Sequence, residues 1–157
     1  MTDYAKPLPH VDDPIQAPFW AAAAEHRFVL QRCPECEAFR WPASPICPEC
    51  LTTGGDWVEA PRGGTVWSFA IYDRAYRAEF KDDLPYDVAL IVLDAGPKMM
   101  SNVVGIEVDA LHIGQRVEVA FDDVTDTVTL VKFAPVDSEP DGSQSAAPAQ
   151  QYEGGAR

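Results

Sequence analysis

The sequence predicts a mainly β protein with a short N-terminal helix, a small cysteine-bound metal module and a five-stranded closed barrel. Three observations lead to this prediction. Four consecutive alanines follow an aromatic pair near the N-terminus, four cysteines are confined to residues 33–50, and five short strand-like segments occupy residues 65–134. Short β segments separated by turns are typical of small barrels. The 157 residues suffice for one domain with a small attached module.

Residues 1–27 are predicted to form an N-terminal arm followed by a helix. The arm, residues 1–12, contains two prolines and no periodic pattern, and the alanine run within residues 14–26 favours helix. Asp13 is placed to cap this helix. Phe19 and Trp20 would lie beside the metal module, and we expect them to pack against it because exposed aromatic pairs seek burial. The alternative is a docking surface for another protein.

Residues 28–60 form the cysteine module. Two Cys-x-x-Cys pairs with the same inner residues, Pro-Glu, are separated by ten residues, and their cysteines are Cys33, Cys36, Cys47 and Cys50. Each turn directs two thiolates to one point, so two turns complete a tetrahedron around zinc. Four thiolates leave no open coordination position, which predicts a structural zinc ion and not a catalytic one. Two disulfides, inert buried thiols or iron in the same cage are the alternatives.

The residue after each cysteine pair departs from the commonest form of this turn. Glycine often occupies that position because it adopts a left-handed conformation at no steric cost. This chain has Glu37 and Leu51 there instead. We therefore expect local backbone strain without any change in the metal ligands.

Residues 61–136 are predicted to form the barrel, with strands at residues 65–72, 86–93, 99–104, 117–121 and 127–133. Alternation in the first strand places Trp67, Phe69 and Ile71 on one face. The second strand is a nearly continuous apolar run, as expected of a central strand. The longest connection, residues 73–85, is a candidate for function. Residues 137–157 contain no aliphatic side chain larger than alanine, so this acidic tail is expected to be disordered.

The charge and the missing motifs exclude several classes of function. Twelve Lys and Arg oppose 25 Asp and Glu, giving −13, and such a surface repels a nucleic-acid backbone. The three histidines show no ligand or triad spacing, and no phosphate-binding glycine loop is present. No catalytic residue is therefore predicted. The chain shows no signal peptide and no membrane-spanning run, so a cytoplasmic location is expected.

A series of short segments occurs in a characteristic order along residues 14–135. The segments are Pro18-Phe19-Trp20, Leu30-Gln31-Arg32-Cys33, Cys36, Trp41-Pro42, Pro45-Ile46-Cys47-Pro48, Cys50, Trp57, Gly64-Thr65-Val66-Trp67-Ser68-Phe69, Leu84-Pro85-Tyr86-Asp87-Val88-Ala89-Leu90, Gly96-Pro97-Lys98, Asn102-Val103-Val104-Gly105, Ile113-Gly114-Gln115-Arg116-Val117 and Val119-Ala120-Phe121-Asp122-Asp123. Together they resemble the family of small proteins that join a rubredoxin-like zinc ribbon to an OB-fold barrel.

The resemblance implies an accessory subunit. Proteins of this family assemble with thiolase-superfamily enzymes that act on acyl-coenzyme A thioesters, including thiolases and thiolase-like aldolases that cleave steroid or other side chains. The partner supplies the catalytic residues, and the small subunit supports stability, activity or acyl-CoA binding. A cytoplasmic hetero-oligomer, with a heterotetramer as one arrangement, is therefore expected in steroid, fatty-acid or aromatic degradation. One zinc per chain, bound by the four cysteines, follows from the same resemblance.

Two further sets of residues are candidates for this role. Phe19, Trp20 and Trp41 lie in or beside a module too small to bury them fully, which makes them candidate anchors for the partner. Arg74, Arg77 and Lys98 are candidate contacts for the coenzyme A phosphates, although a charged loop is more often simply solvated.

Two other classes of function remain open at this point. An OB-fold module that binds single-stranded nucleic acid is disfavoured by the charge, and DNA binding at physiological salt would reopen it. An iron-containing electron carrier would be eliminated by a colourless protein with one zinc per chain.

Overall fold

The computed structural model describes residues 4–136 and confirms a mainly β architecture with one short helix before the strands. Its elements, in chain order, are α1 (Ala17–Ala24), β1 (Val29–Arg32), β2 (Phe39–Arg40), β3 (Asp56–Glu59), β4 (Gly63–Tyr72), β5 (Tyr86–Leu93), β6 (Lys98–Ser101), β7 (Arg116–Asp123) and β8 (Thr129–Pro135). Two 3-10 turns, Ala78–Asp83 and Val108–Ala110, lie in the connections. The expectation of disorder in residues 137–157 falls outside the described residues.

The helix begins later than the predicted start, just after an Asp13 cap, would place it. It starts at Ala17 with Pro18 in its first turn. N–H groups in the first turn have no acceptor within the helix, so proline, which lacks an N–H, costs no helical hydrogen bond there. Asp13 caps the turn just before the helix and not the helix itself. Its carboxylate accepts hydrogen bonds from the N–H groups of Ile15 and Gln16 at 2.9 and 3.1 Å.

The end of α1 is tied to the barrel through His26. His26 adopts a φ of 56°, and the N–H groups of His26 and Arg27 donate back to carbonyls of the last turn at 2.8 and 2.9 Å. The His26 ring stacks on Phe121 with 5.1 Å between centroids, and its Nε2 lies 2.9 Å from Asp123 Oδ1. This contact holds the helix against β7.

The strands form two sheets. The first has the order β2-β1-β3, and the second has the order β6-β5-β4-β7-β8, with every pair antiparallel. A parallel bridge between Val103, just after β6, and Phe133 of β8 joins the two edges of the second sheet. The five-stranded sheet therefore curls and closes on itself, as predicted.

A β-bulge at Trp67 changes which residues of β4 face inward. The pairing of β4 with β5 shifts register between Val66 and Ser68, so Trp67 is an extra residue on its strand. The prediction that Trp67 shares a face with Phe69 and Ile71 is wrong. Trp67 is 56% exposed, whereas Phe69 packs against the core.

One apolar core joins the helix, the cysteine module and the barrel. Phe19 of α1 and Leu30 of β1 belong to the same buried cluster as Ile91 and Phe133 of the barrel. A buried carboxylate lies at the closure of the barrel, where Asp87 accepts a 2.9 Å hydrogen bond from the Val103 N–H. Desolvation raises the pKa of Asp87 above its ordinary value.

Candidate metal centre and partner surface

The four predicted metal ligands converge on one point. Cys33 and Cys36 lie in the turn between β1 and β2, and Cys47 and Cys50 lie in the connection between β2 and β3. All four Sγ atoms lie within 4.8 Å of one another. The Sγ atoms of Cys33 and Cys50 are 3.5 Å apart, and those of Cys36 and Cys47 are 3.6 Å apart. The convergence predicted from the spacing is confirmed.

The two cysteine turns have the same backbone hydrogen bonds. In each, the first cysteine accepts a bond from the N–H four residues later and donates one to the carbonyl five residues later. The N···O distances are 3.1 and 3.0 Å in the first turn and 2.9 and 2.8 Å in the second. Glu37 and Leu51 both adopt the left-handed conformation, with φ of 60° and 62°. The repeated sequence therefore folds as a repeated structure.

The sulfur positions fit a tetrahedral metal ion. With zinc–sulfur bonds of about 2.3 Å, the edges of an ideal tetrahedron measure about 3.8 Å. Two of the six sulfur–sulfur distances, 3.5 and 3.6 Å, lie near that length, and the other four do not exceed 4.8 Å. Cys33 and Cys47 are buried, and Cys36 and Cys50 lie on the solvent side. Cys33, Cys36, Cys47 and Cys50 would therefore fill the coordination sphere of one ion.

The pKa values of two of the four thiols are shifted in opposite directions. A hydrogen bond from the Thr52 hydroxyl lowers the pKa of Cys50 to about 6. The Ala38 amide favours the Cys36 thiolate, but desolvation and hydrogen bonds to the other three sulfurs outweigh it and raise the pKa of Cys36 to about 12. A bound cation would favour the Cys36 thiolate, because it would supply the opposite charge beside that sulfur.

The three predicted aromatic anchors form one cluster. Phe19 packs edge-on against Trp20 with 5.0 Å between centroids and lies 4.3 Å from the Trp41 ring. Phe19 is only 2% exposed, so the expectation that the small module leaves it partly open is wrong for this residue. The barrel supplies the additional cover, because Phe19 belongs to the shared core. Trp20 and Trp41 remain half-buried, and their contact with a partner stays a prediction.

A shallow cleft of about 210 Å³ opens beside these aromatics. Its walls are Trp20 and Trp41 on one side and Met100, Leu130 and Val131 of the barrel on the other. The cleft lies where the helix and the cysteine module meet β6 and β8. Apolar walls with partly exposed indole rings suit an apolar side chain from another molecule.

A second and larger cleft, of about 580 Å³, lies between the cysteine module and the turn that joins β5 to β6. Trp41, Cys47 and Lys98 line it, together with Arg40 of β2. Arg40 is 5% exposed and donates to Gln31 Oε1 at 2.6 Å and to the Gly54 carbonyl. Its Nη1 has no partner within residues 4–136.

The three candidate cations do not form one cluster. Arg74 and Arg77 lie in the connection that leads into the start of β5, and Arg77 pairs with Glu79 at 3.0 Å. Lys98 lies opposite Val92, near the far end of β5. Six residues of strand, or about 20 Å, separate these positions. Lys98 instead contacts the Trp67 ring, with its Nζ 3.9 Å from the centroid.

Two family models match this chain. A "ChsH2, rubredoxin-like zinc ribbon domain" matches residues 20–54, and a "ChsH2, C-terminal OB-fold domain" matches residues 57–122. A solved chain described as "Ltp2-ChsH2(DUF35) aldolase" is 34% identical, with a TM-score of 0.73. That alignment covers 82% of this chain and 98% of the other.

This chain belongs to the ChsH2 (DUF35) family.

Other members of the family are more distant or are longer proteins. A "DUF35 domain-containing scaffold protein" from Methanothermobacter thermautotrophicus is 32% identical over 57% of this chain and 68% of its own length. A "Probable enoyl-CoA hydratase alpha subunit" from Thermomonospora curvata is 36% identical over 74% of this chain. The alignment spans only 36% of that longer protein. A Sulfolobus solfataricus DUF35 protein shares the fold, with 14% identity and a TM-score of 0.55 over 78% of this chain and 86% of its own.

Two features of this ChsH2-family chain were not predicted from its sequence. Arg40 lies on a two-residue strand without a periodic pattern, so nothing in the sequence indicates its burial. The outward position of Trp67 depends on the bulge.

Within the described part of the chain, no helix is both long and apolar enough to cross a bilayer.

Proposed function

We propose that this chain is a non-catalytic accessory subunit of a thiolase-superfamily enzyme that acts on acyl-CoA thioesters. The observation that carries the proposal is its 34% identity, over 98% of the length, to a chain described as part of an Ltp2-ChsH2(DUF35) aldolase. The scaffold-protein names of two relatives support the accessory role. The metal is a structural zinc ion, because four cysteines occupy every position of a tetrahedral site.

A second partner class is an enoyl-CoA hydratase. The hydratase-named relative contains a region 36% identical to 118 residues of this chain. Hydratases and thiolase-like aldolases both act on coenzyme A thioesters, so the same small subunit suits either enzyme. The activity of the purified complex, tested with an enoyl-CoA and with a substrate for carbon–carbon cleavage, distinguishes the two classes.

Assembly is the most direct test of the accessory role. Co-expression with a thiolase-like protein from the genome that encodes this chain, followed by size-exclusion chromatography, should give one complex. Trp20→Ala should weaken the complex or abolish the partner's activity while one zinc per chain is retained. Ile113→Ala is the control, because Ile113 is exposed and does not line the cleft beside Trp20. Separate elution of two fully active proteins would contradict the proposal, as would turnover by this chain alone.

The contact with coenzyme A is proposed to involve Lys98, Arg74 and Arg77. Lys98 is the most favourable of the three, because it borders the larger cleft between the two modules. Lys98→Met keeps the apolar stem and removes the charge, so it should raise the KM of the complex for acyl-CoA and leave kcat unchanged. Arg74→Met and Arg77→Met test the loop separately. An unchanged KM in all three variants would exclude a phosphate contact by these residues.

A further inference from the structure

Strand β5 is apolar on both faces. Ala89, Ile91 and Leu93 point into the barrel and are buried, whereas Val88, Leu90 and Val92 alternate with them and point outward. The outward residues are only half-buried. Strands of this composition are usually covered on both faces. The described part of the chain leaves the outer side of β5 incompletely covered.

The neighbouring strands extend this surface. Met100 of β6 lies opposite Leu90 and is 69% exposed, and Lys98 lies opposite Val92. Trp67, displaced outward by the bulge in β4, contacts Lys98. We call this surface the outer β4–β6 face and define it by Trp67, Val88, Leu90, Val92, Lys98 and Met100.

The outer β4–β6 face lacks the acidic residues that are abundant elsewhere. No outward position on these three described strands is Asp or Glu, and Lys98 is the one charged residue among those outward positions; Asp87 of β5 faces inward. The outward positions of β7 and β8, in contrast, include Arg116, Glu118, Asp122 and Lys132. Depletion of charge with exposed Trp and Met is the composition of an interface core.

We infer that the outer β4–β6 face docks against an apolar surface of the thiolase-like subunit. The inference rests on the proposed function and specifies where the partner lies. Met100 belongs both to this face and to the cleft beside Trp20 and Trp41, so the two surfaces are continuous. One partner surface can therefore contact the helix, the cysteine module and the barrel together.

The charge of the chain argues against the other occupants. Two copies would each bring a net charge of −13 to the contact, and their repulsion opposes self-association. The C-terminal residues 137–157 have no aliphatic side chain beyond alanine and one aromatic, Tyr152, so their composition does not match an apolar face. A different protein with an apolar patch fits both observations.

A matched pair of substitutions tests the inference. Met100→Lys places a charge on the face, and Ile113→Lys places the same charge at a residue with nearly the same exposure, 68% against 69%, that is not one of the six residues defining the face. The variants are co-purified with the thiolase-like subunit, and the dissociation constants are measured by titration. We expect Met100→Lys to weaken the complex about tenfold or more and Ile113→Lys to leave it unchanged. Because Met100 is exposed, the isolated variant should keep its zinc and its melting temperature.

Trp67→Ser provides a second probe that does not line the cleft beside Trp20. It should also weaken the complex. Wild-type affinity in both Met100→Lys and Trp67→Ser would overturn the inference about the outer β4–β6 face. If Trp20→Ala alone then lost assembly, the proposed accessory function would still stand. A wild-type homodimer that Met100→Lys dissociates would assign the face to a second copy and overturn the inference. Failure of the wild-type chain to bind the thiolase-like subunit would overturn both proposals.

Discussion

Two residues in the cysteine turns adopt a conformation that usually belongs to glycine. Glu37 and Leu51 have φ near 60°, and the left-handed region costs a residue with a Cβ about 1–2 kcal/mol. Structural zinc sites in small peptides release about 10–16 kcal/mol on binding. The metal therefore outweighs the strain of both residues by a wide margin. The chain tolerates a side chain where glycine would be less strained.

Loss of one ligand should unfold the cysteine module. Cys36→Ser removes a thiolate from the four that converge, and we expect the metal to be lost and residues 28–60 to unfold. Zinc content and near-ultraviolet circular dichroism measure the two effects. Glu35→Ala, inside the same turn but without a metal-binding role, is the control. A Cys36→Ser protein with one tightly bound zinc and a full melting transition would refute the prediction.

Removal of one Cβ should stabilise the protein. Leu51 is 75% exposed, so Leu51→Gly removes few packing contacts. It also relieves the backbone strain of a residue with a Cβ in the left-handed conformation. We expect a gain of up to about 1 kcal/mol in the free energy of unfolding, measured by chemical denaturation of the zinc-bound protein. Leu51→Ala is the control, since it removes the same exposed side chain but retains the Cβ. Equal stability of the two variants would show that the backbone is not strained there.

At the scale of elements, an ion pair joins the end of β5 to the start of β7. Arg116 donates to both carboxylate oxygens of Asp94 at 2.8 Å, and its Nη1 also donates to Thr65 Oγ1 at 3.0 Å. Gly63 lies directly beneath this pair, and a Cβ there would lie 2.2 Å from Asp94 Oδ2. A side chain at position 63 would therefore displace the ends of the Asp94 and Arg116 side chains and disturb their ion pair. The ion pair and the bond to Thr65 thus connect β4, β5 and β7 at one end of the barrel.

The stability contributed by the Asp94–Arg116 ion pair should depend on pH. Hydrogen bonds from Arg116 lower the pKa of Asp94 in the folded protein. The ion pair therefore contributes its full free energy of unfolding above the ordinary carboxyl pKa. This contribution is lost as the pH falls through the lowered pKa of Asp94. The side chains are 41% and 40% exposed, so we expect Asp94→Asn to cost only about 0.5–1 kcal/mol at pH 7.

Thermal melts of wild type and Asp94→Asn from pH 7 to pH 3 measure this effect as a difference that shrinks towards low pH. Loss of zinc in acid affects both proteins and cancels in the comparison. Asp126→Asn is the control, since Asp126 forms no ion pair within the described residues. A difference between wild type and Asp94→Asn that stays constant over the pH range would contradict the assignment.

At the scale of the whole molecule, the helix, the cysteine module and the barrel share one core. Phe19 and Leu30 pack in the same buried cluster as the barrel residues Ile91 and Phe133. The cysteine module is therefore anchored by the barrel as well as by its own cysteine cluster. Its orientation beside β6 and β8 determines both clefts, because each is lined by residues from the two modules.

The C-terminal tail should contribute little to folding. Residues 137–157 lack the apolar side chains needed to build a core. Truncation after Val136 retains the last hydrogen bond of the barrel, from the Val136 N–H to the Arg116 carbonyl at 3.2 Å. We expect a nearly unchanged melting temperature in calorimetry. A drop of many degrees would show that the tail docks on the folded part.

Much of the fold and the metal site could be predicted from local sequence. The Cys-x-x-Cys spacing sets the positions of the sulfur pairs, and the alanine run and alternating apolar segments indicate the helix and the barrel strands. The two-residue strand β2 gave no signal, because a pattern needs more than two residues to show a period. The partner anchors and coenzyme A contacts remain predictions.

The sequence by itself determined the helix, the barrel strands and the paired cysteines, since each depends on neighbours within a few positions. Only the tertiary structure decided that Phe19 is buried, that Lys98 lies far from Arg74, and that Trp67 faces outward. These facts depend on contacts between residues distant in the chain. The side-chain period of a strand is two, so the single extra residue at the bulge reverses the faces of β4. Local alternation does not reveal such a reversal, because it arises from pairing with β5.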